Sequence, residues 1–322
     1  MKRALICGVS GQDGAYLALL LLERGYEVFG TSRDAEARSF ANLTRLAIDE
    51  RVKRVSMAIN DFRSVLQVMS RIIPDEIYSL AGQSSVGLSF EQPVETLESI
   101  SMGTLNLLEA MRFLGRPIRL YSAGSSECYG DTGGERAVEA TPFRPRSPYA
   151  VAKATAHWLV ANYREAYGLH ASTGILFNHE SPLRSRRFVT RKIVAAACAI
   201  ARGNRERLTL GNLQIHRDWG WAPEYVEAMW LMLQQERADD YVIATGAAHS
   251  LAQFAAAAFA HFGLDWQQHT DSSAELFRPA DIDYSCGDAA KAARILGWRA
   301  RLAMPEVVKA MVEAEMAEAA PS

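Results

Sequence analysis

The stretch Ala4-Leu5-Ile6-Cys7-Gly8-Val9-Ser10-Gly11-Gln12-Asp13-Gly14 decides the fold of this 322-residue chain. Its first four residues form an apolar run that suits a strand buried on both faces. Three glycines follow at a GxxGxxG spacing, and the leucines after them predict a helix from about residue 12 to 24. The order of strand, glycine turn and helix predicts a dinucleotide cradle, because glycines let the backbone approach a pyrophosphate at the helix N-terminus.

The alternation of strands and helices continues through the first half of the chain. Further apolar runs predict strands at residues 27–31, 77–80 and 118–122, with a helix from about 95 to 114 before the last of them. This pattern predicts an α/β fold: a Rossmann-type doubly wound parallel sheet, joined to a smaller, discontinuous α/β substrate-binding domain.

The length of the chain allows one large domain or two modest ones with a substantial core. We expect a dinucleotide-binding domain at residues 1–178, with parts of 214–246 returning to it. Residues 179–322 should form mainly the substrate-binding domain.

Composition and charge indicate a small-molecule partner. Hydrophobic residues make up 49% of the chain, and 35 basic residues against 37 acidic ones give a formal charge of −2. This balance exerts no pull toward nucleic acid or a membrane surface. No apolar stretch reaches transmembrane length, and the run after Met1-Lys2-Arg3 breaks too early for a signal peptide. The scattered Cys7, Cys128, Cys198 and Cys286 argue against a zinc site or a disulfide framework, so we expect a cytoplasmic protein without a metal site.

The second predicted strand ends at Ser32-Arg33-Asp34, where folds of this kind recognise the adenosine ribose of the cofactor. An acidic residue there would hold the 2′-hydroxyl of NAD, whereas an arginine would accept the 2′-phosphate of NADP. Arg33 comes first, so we expect NADP, with NAD as the alternative. Further on, Asn60, Asp61 and Phe62 could flank the adenine, and a plain loop is the competing interpretation.

Small polar residues follow two of the predicted strands. One strand runs into Ala81-Gly82-Gln83-Ser84-Ser85, and the next runs into Gly124-Ser125-Ser126-Glu127. Ligands of parallel sheets bind beyond the carboxyl ends of the strands. Gly11, Ser84 and the segment 124–127 should therefore lie on one rim.

The segment Ser147-Pro148-Tyr149-Ala150-Val151-Ala152-Lys153 predicts a helix start that carries chemistry. Ser147 suits the N-cap and Pro148 the first helical position. Tyr149 and Lys153 are four residues apart and share one helix face. The lysine charge and the positive helix end favour the phenolate, so we expect a lowered Tyr149 pKa and a base near neutral pH. A chance YxxxK pair at an ordinary helix start is the alternative.

Glu127 adds a second acid–base group to this rim. Tyr149 and Lys153 suffice for simple alcohol oxidation, so a further carboxylate suggests that a proton is removed from carbon or that a leaving group is protonated. Ser125 could share a hydrogen bond with a substrate hydroxyl. A loop carboxylate bound to backbone amides is the alternative interpretation of Glu127.

Several blocks of the sequence resemble the extended short-chain dehydrogenase/reductase superfamily. They are the GxxGxxG turn, LAGQS at residues 80–84, SSE at 125–127 followed by CYG, and SPYAVAK at 147–153. Other blocks look like one subfamily, the GDP-mannose 4,6-dehydratases, and lie at residues 174–182, 187–193, 217–220, 225–230, 242–246 and 278–279. The matches extend from residue 4 to about residue 298, which is nearly the whole chain.

The resemblance implies a role for each matching residue. Tyr149 would be the base on the sugar 4-hydroxyl, and Lys153 would bind the nicotinamide ribose. Ser125, where most members carry threonine, would bond the same hydroxyl. The implied reaction passes a hydride from C4 to NADP⁺, uses Glu127 to remove the C5 proton and release the C6 hydroxyl as water, and returns the hydride to C6. GDP-D-mannose would become GDP-4-keto-6-deoxy-D-mannose, with NADP unchanged at the end.

The residues expected to bind ligands fall into two sets. The cofactor set is Gly8, Gly11, Gln12, Asp13, Gly14, Arg33, Asp61, Phe62, Leu80, Ala81, Gln83, Ser84, Tyr149, Lys153, His179 and Arg184. The substrate set is Ser85, Asn178, Val189, Lys192, Arg217 and Arg278. Five cations between residues 184 and 192 favour charge-assisted contacts with phosphates for some of them, and a solvated basic face is the alternative.

The chain also departs from the family pattern. Members usually carry histidine, arginine and glycine where Ser85, Leu183 and Ser185 stand, and the loop after Arg33 lacks an Arg-Arg-Ser-rich stretch. Apolar stripes on the helices near 95–114 and 150–166 predict a homodimer or a homotetramer. Two other functions stay open at this stage: a reductase or epimerase acting on another nucleotide sugar, and a non-catalytic dinucleotide-binding regulator. Glu127 argues against the first, and the Tyr149–Lys153 pair argues against the second.

Overall fold

A computed structural model describes residues 1–37, 39–277 and 279–318 of the chain. In chain order, the strands are β1 (Arg3–Cys7), β2 (Glu27–Ser32), β3 (Lys53–Ser56), β4 (Glu76–Ser79), β5 (Arg119–Ala123), β6 (His170–Leu176), β7 (Asn178–Glu180), β8 (Leu208–Leu210), β9 (His216–Trp221), β10 (Tyr241–Ile243), β11 (Ala248–Ser250), β12 (Thr270–Ser272) and β13 (Tyr284–Ser285).

The helices are α1 (Gln12–Glu23), α2 (Ala41–Arg45), α3 (Phe62–Ile72), α4 (Val86–Glu91), α5 (Pro93–Leu97), α6 (Gly103–Leu114), α7 (Pro148–Tyr167), α8 (Val189–Ala201), α9 (Ala222–Gln234), α10 (Leu251–Ala260), α11 (Ala290–Ile295) and α12 (Met304–Glu318). Within the described ranges, no helix is long and apolar enough to span a bilayer.

Seven strands form the central sheet in the order β10-β6-β5-β4-β1-β2-β3, and every neighbouring pair is parallel. Apolar side chains cover both faces, as the continuous apolar strands require. Helices α1 and α9 pack on one face through Leu17, Leu21 and Met229. Helices α3, α6 and α7 pack on the other face. The predicted doubly wound parallel sheet is confirmed.

The later part of the chain carries smaller sheets and its own apolar cluster. Strands β11, β9 and β13 pair side by side, β7 also pairs with β9, and β12 pairs with β8. Helices α8, α10 and α12 bury Val194, Phe254 and Val308 among themselves. The chain then returns to the central sheet, because β10 pairs with β6 and α9 packs against α1.

The expected single helix from about residue 95 to 114 is interrupted. It begins as α5, continues through one π-helical turn at Glu98–Met102, and only then becomes α6. The wider turn changes the face that each later residue presents. The start of α7 follows the sequence prediction, since Ser147 Oγ accepts a hydrogen bond from Ala150 N at 3.1 Å and Pro148 is the first helical residue.

Candidate active site

The turn between β1 and α1 is too tight for side chains at two of its glycines. Gly8 has φ +90°, and a Cβ there would lie 2.9 Å from the backbone of Leu80. A Cβ on Gly14 would lie 2.4 Å from Gly8 O, whereas one on Gly11 would meet nothing closer than 3.4 Å. Packing therefore does not require a glycine at position 11. A glycine there instead lets a ligand approach the backbone.

A cavity of about 600 Å³ opens beside this turn, at the carboxyl ends of β1, β2 and β4. It brings together most of the cofactor residues expected from the sequence: Gly8, Gly11, Gln12, Asp13, Gly14, Arg33, Leu80, Ala81, Gln83, Ser84 and Arg184. Other lining residues were not expected, among them Thr31, Asn42, Met57, Ile59 and Phe188. Most of these come from loops whose course a local pattern does not reveal. The volume and polar lining suit a dinucleotide.

Asp61 and Phe62, expected to flank the adenine, do not line this cavity. The Asp61 carboxylate accepts a hydrogen bond from Arg63 N at 2.9 Å, so it caps α3. Phe62 is the first residue of that helix, and its side chain is exposed. Ile59 and Asn60, just upstream, form the wall instead.

Arg33 and Asp34 have different surroundings. Arg33 lines the cavity, and its Nη2 lies 3.3 Å from Glu95 Oε1 of α5. Asp34 Oδ1 accepts hydrogen bonds from Glu36 N and Ala37 N, both at 3.0 Å. The Asp34 carboxylate is therefore bound to its own turn and lies outside the cavity lining.

His179 and Asp13 form a buried pair behind the glycine turn. His179 Nε2 lies 2.9 Å from Asp13 Oδ2, and His179 Nδ1 lies 2.7 Å from Phe177 O. Burial alone would raise the pKa of Asp13, but the charge and hydrogen bond of His179 bring it to about 2. Burial likewise opposes the charged form of His179, yet Asp13 raises its pKa. Both ring nitrogens of His179 thus have protein partners, and Asp13 is the member of the pair that lines the cavity.

The four expected catalytic residues meet where β5 ends. Ser125 opens the 3₁₀ turn Ser126–Tyr129, which carries Glu127, and the first turn of α7 presents Tyr149. Ser125 lies close enough to the Tyr149 phenol to lower its pKa, although burial outweighs this effect. Lys153 Nζ lies 5.8 Å from the centre of the Tyr149 ring and donates a 2.6 Å hydrogen bond to Ala123 O. Strand, turn and helix therefore place a hydroxyl, a carboxylate, a phenol and an ammonium on one rim.

The expected Tyr149 pKa near neutral is wrong for this structure. Burial raises the pKa of Tyr149 above its ordinary value, and Ser125 opposes this shift only in part. Burial also lowers the pKa of Lys153, to about 8. The Lys153 ammonium, which was expected to stabilise the phenolate, is itself desolvated and hydrogen-bonded to a backbone carbonyl. The free-energy cost of burying the phenolate charge therefore exceeds its attraction to Lys153.

The Glu127 carboxylate makes no hydrogen bond or ion pair with the residues that the structure describes. It is half-buried, and its charge acts on its neighbours, since it contributes to raising the pKa of Tyr149. A loop carboxylate with only a structural role would be expected to accept backbone hydrogen bonds, as Asp34 and Asp61 do. Glu127 is instead available to a ligand.

Comparison with known proteins shows the family to which the chain belongs. The family model described as GDP-mannose 4,6 dehydratase matches residues 5–311. The chain belongs to this family. GDP-mannose 4,6 dehydratase 1 of Arabidopsis thaliana is 46% identical over 325 residues, covering 98% of this chain and 90% of that protein. The GDP-mannose 4,6-dehydratase of Sinorhizobium fredii is 44% identical, covering 98% and 97%, and that of Homo sapiens 40%, covering 97% and 91%.

Solved structures share the fold over almost the whole chain. UDP-glucose 4-epimerase of Thermus thermophilus, solved as a complex with NAD, has a TM-score of 0.85 and 26% identity, covering 99% of this chain and 100% of that one. DesIV of Streptomyces venezuelae, a dTDP-glucose 4,6-dehydratase solved with NAD and TYD bound, has a TM-score of 0.86 and 23% identity, covering 97% and 96%. The latter likeness concerns the fold alone.

The residues that the GDP-mannose 4,6-dehydratase pattern assigns to substrate lie on several elements. Asn178 begins β7, Val189 and Lys192 lie in the first turn of α8, and Arg217 lies on β9. Ser85 caps α4, because its Oγ accepts a hydrogen bond from Leu88 N at 3.3 Å. Arg278 lies outside the described residues. None of the other five residues lines the 600 Å³ cavity.

Arg217 is buried and held by the backbone beside it. Its Nη1 donates to Ile282 O at 2.7 Å, and its Nη2 lies 3.3 Å from Asp281 Oδ1. On the same strand, Asp218 accepts hydrogen bonds from Thr245 N and Gly246 N, both at 2.9 Å. These contacts fix the loops on either side of β9.

The five cations between residues 184 and 192 divide into two groups. Arg186 and Arg191 both bind Glu315 of α12, at 2.8 and 2.7 Å, and Arg184 lies 3.4 Å from Glu180. Arg187 lines the cavity, and Lys192 is exposed. Neither of the last two makes an ion pair within the described residues. Arg186 and Arg191 thus hold α12 in place, whereas Arg187 and Lys192 are available to ligands.

Proposed function

We propose that this protein converts GDP-D-mannose to GDP-4-keto-6-deoxy-D-mannose and water, as a nucleotide-sugar 4,6-dehydratase that works by internal hydride transfer from C4 to C6. The observation that carries the proposal is the unpartnered Glu127 carboxylate beside the Tyr149–Lys153 pair. A simple dehydrogenase needs only the pair, whereas elimination of water also needs an acid–base group for C5 and C6. Membership of the GDP-mannose 4,6-dehydratase family supports the same substrate.

We infer that the cofactor is a nicotinamide dinucleotide, as in the solved relative with NAD. The bare turn at Gly8, Gly11 and Gly14 and the adjoining cavity fit its pyrophosphate and adenosine. Lys153 would hold the nicotinamide ribose. The chemistry supplied by the bound cofactor is reversible hydride transfer.

NADP is the form of the cofactor that we propose, rather than NAD. Arg33 lines the cavity at the end of β2, where a 2′-phosphate is recognised in such folds. Asp34, the residue that would select the 2′-hydroxyl of NAD, is bound by the N–H groups of Glu36 and Ala37. An arginine fork binds phosphate with charge-assisted hydrogen bonds, which supports the choice.

Tyr149 and Ser125 would handle the sugar 4-hydroxyl. Ser125 holds the hydroxyl through a hydrogen bond, and Tyr149 receives its proton. Because burial raises the Tyr149 pKa, the phenol can act as a base only when Ser125 and Lys153 stabilise the phenolate. Ser125 already lowers the pKa of the phenol, and Lys153 Nζ lies 5.8 Å from the centre of its ring.

Glu127 would carry the elimination. A ketone at C4 makes the neighbouring C5 proton acidic, and Glu127 removes it. The same carboxyl group then protonates the C6 hydroxyl, which leaves as water. One residue can serve both steps, because the proton taken from C5 leaves Glu127 as the acid that the departing hydroxyl needs. C5 must regain a proton when C6 is reduced, and the proton that Tyr149 received from the 4-hydroxyl would balance the cycle.

Substrate binding and assembly complete the proposal. Ser85, Asn178, Val189, Lys192, Arg217 and Arg278 would bind the nucleotide sugar, from a domain formed mainly by residues 179–322, while residues 1–178 and parts of 214–246 bind the cofactor. The exposed apolar side chains of Val94, Phe113 and Trp158 on α5, α6 and α7 support a homodimer or homotetramer. We place the protein in the cytoplasm, in keeping with its four free, buried cysteines.

The deciding experiment incubates purified protein with GDP-mannose and catalytic NADP⁺, followed by mass spectrometry of the nucleotide sugar. We expect the loss of one water without net accumulation of NADPH. Glu127→Gln should block this loss, and the exposed Glu135→Gln should not. If the sugar is untouched while NADPH accumulates, or if only other nucleotide sugars react, the proposed function is wrong.

A further inference from the structure

Arg33 does not face the cofactor cavity alone. Its Nη2 lies 3.3 Å from Glu95 Oε1, and both side chains line the cavity. We propose that Glu95 is a specificity-determining residue, which limits how strongly the protein prefers NADP over NAD by competing for the Arg33 guanidinium. This inference rests on the proposed use of NADP, and it concerns a residue outside the set expected from the sequence.

The position of Glu95 is fixed by the loop after β4. Gln83 N donates to Ser99 Oγ at 3.3 Å, and Gln83 Nε2 donates to Thr96 Oγ1 at the same distance. These bonds hold α5 and the following π turn against a loop that itself lines the cavity. The Glu95 carboxylate therefore extends toward Arg33 from an anchored backbone rather than from a free surface loop.

Glu95 is one of two acidic residues among the described residues that line the cavity. The other, Asp13, is bound by His179 Nε2 at 2.9 Å. The basic lining residues are Arg33, Arg184 and Arg187. A phosphate on the adenosine ribose would bring added negative charge to the Arg33 end of the cavity, where Glu95 is the carboxylate in contact with that arginine.

The competition has a simple physical consequence. Arg33 must share or give up its contact with Glu95 to form a fork with the 2′-phosphate, and the carboxylate also repels the phosphate. NAD carries a hydroxyl at that position, so it is affected much less. Both side chains are partly exposed, at 72% for Arg33 and 39% for Glu95, so solvent reduces the effect to a modest size.

The test measures dissociation constants of NADP⁺ and NAD⁺ for the cofactor-free full-length protein by calorimetry. Glu95→Gln keeps the size of the side chain and removes its charge. We expect it to tighten NADP⁺ binding by about three- to tenfold and to change NAD⁺ binding less than about twofold. The NADP⁺ gain should shrink at high salt, since exposed charges are screened. Glu98→Gln, on the next turn and outside the cavity lining, is the matched control and should change neither constant.

A second variant separates this inference from the proposed cofactor. In an Arg33→Gln background, Glu95→Gln should tighten NADP⁺ binding less than it does in the wild type, because the competition has been removed. Equal effects on NADP⁺ and NAD⁺, or weaker NADP⁺ binding in Glu95→Gln, would overturn the role of Glu95. If the wild type binds NADP⁺ no better than NAD⁺, the assignment of NADP fails instead.

Discussion

The glycine turn and the catalytic residues at the end of β5 differ in whether their polar side chains have hydrogen-bond partners. In the first, Gln12 Nε2 donates to Asp13 Oδ1 and His179 O, and Gln12 Oε1 accepts from Ser181 Oγ. In the second, Glu127 has no partner among the described residues, and burial shifts the pKa of Tyr149 and Lys153 away from their charged forms. The polar side chains behind the glycine turn already bond one another, whereas the Glu127 carboxylate keeps its hydrogen-bonding capacity and charge for the substrate, at a cost in stability.

The largest expected effect is the loss of turnover when Tyr149 is replaced. Tyr149→Phe should lower kcat by roughly 10²- to 10⁴-fold, because it removes the proton acceptor of the first step. The dissociation constant of NADP⁺ should stay within about threefold of the wild type. Turnover assays and cofactor titrations would measure both quantities.

Tyr121→Phe is the control for the loss of a phenol. The buried Tyr121 hydroxyl has no hydrogen-bond partner in the part of the chain that the structure describes, so its removal should leave turnover intact. Normal turnover in Tyr149→Phe would show that the residues at the end of β5 are not the catalytic ones, and the comparison of the two regions would then be wrong.

Two glycine substitutions test whether the turn is built for packing or for a ligand. Gly14→Ala places a Cβ 2.4 Å from Gly8 O and 2.6 Å from Val9 Cα, and it should cost about 1–3 kcal/mol of unfolding free energy. Gly11→Ala meets nothing closer than 3.4 Å, so it should unfold like the wild type but bind NADP⁺ much more weakly. Chemical denaturation and cofactor titration measure the two effects. Equal destabilisation by both substitutions would show that the turn is limited by packing alone.

Lys153→Met should abolish turnover and yet stabilise the fold. The pKa of Lys153 is about 8, below its ordinary value of 10.5, so below pH 8 the folded protein pays for a buried charge that the unfolded chain does not. We expect a gain of about 2 kcal/mol at pH 7, which disappears as the pH rises from about 8 to 10.5. Lys192→Met, at an exposed position, should show no such gain. A Lys153→Met protein less stable than the wild type at pH 7 would contradict the strain attributed to the catalytic rim.

The smallest expected effect concerns the Asp13–His179 pair behind the glycine turn. Asp13 has a pKa of about 2, so its stabilising contribution is present above about pH 4 and is lost as the pH falls toward 2. The raised pKa of His179 contributes stability below about pH 6.5, which is lost as the pH rises through the folded-state pKa. Asp13→Asn should therefore cost about 1–2 kcal/mol between pH 4 and 6.5 and flatten the pH profile of the unfolding free energy. An unchanged profile would show that the pair adds nothing to folding.

Local patterns in the sequence predict much of the cofactor region. The apolar run before Gly8 and the leucines after Gly14 determine one strand and one helix, and the structure has both at β1 and α1. Ser147 and Pro148 likewise predict the start of α7. Such elements depend on neighbours within a few residues, so the sequence alone reveals them.

Features that depend on distant residues could not be read in this way. Arg191 falls in a run that suggests phosphate binding, but its partner is Glu315, more than a hundred positions along the chain. The Tyr149 pKa depends on how deeply the folded chain buries the ring, and a YxxxK spacing does not report burial. The sequence is compatible with Asp34 binding a ribose, but in the structure its carboxylate accepts a hydrogen bond from Glu36 N.

The return of the chain to the central sheet also matters during synthesis. Strand β6 ends at Leu176, but its outer neighbour β10 begins only at Tyr241. At about 5–20 residues per second, a ribosome leaves that edge of β6 without its partner for several seconds. Until β10 arrives, the nascent chain offers a parallel strand edge to any other extended segment, which makes this interval the one in which chaperone protection would be most valuable.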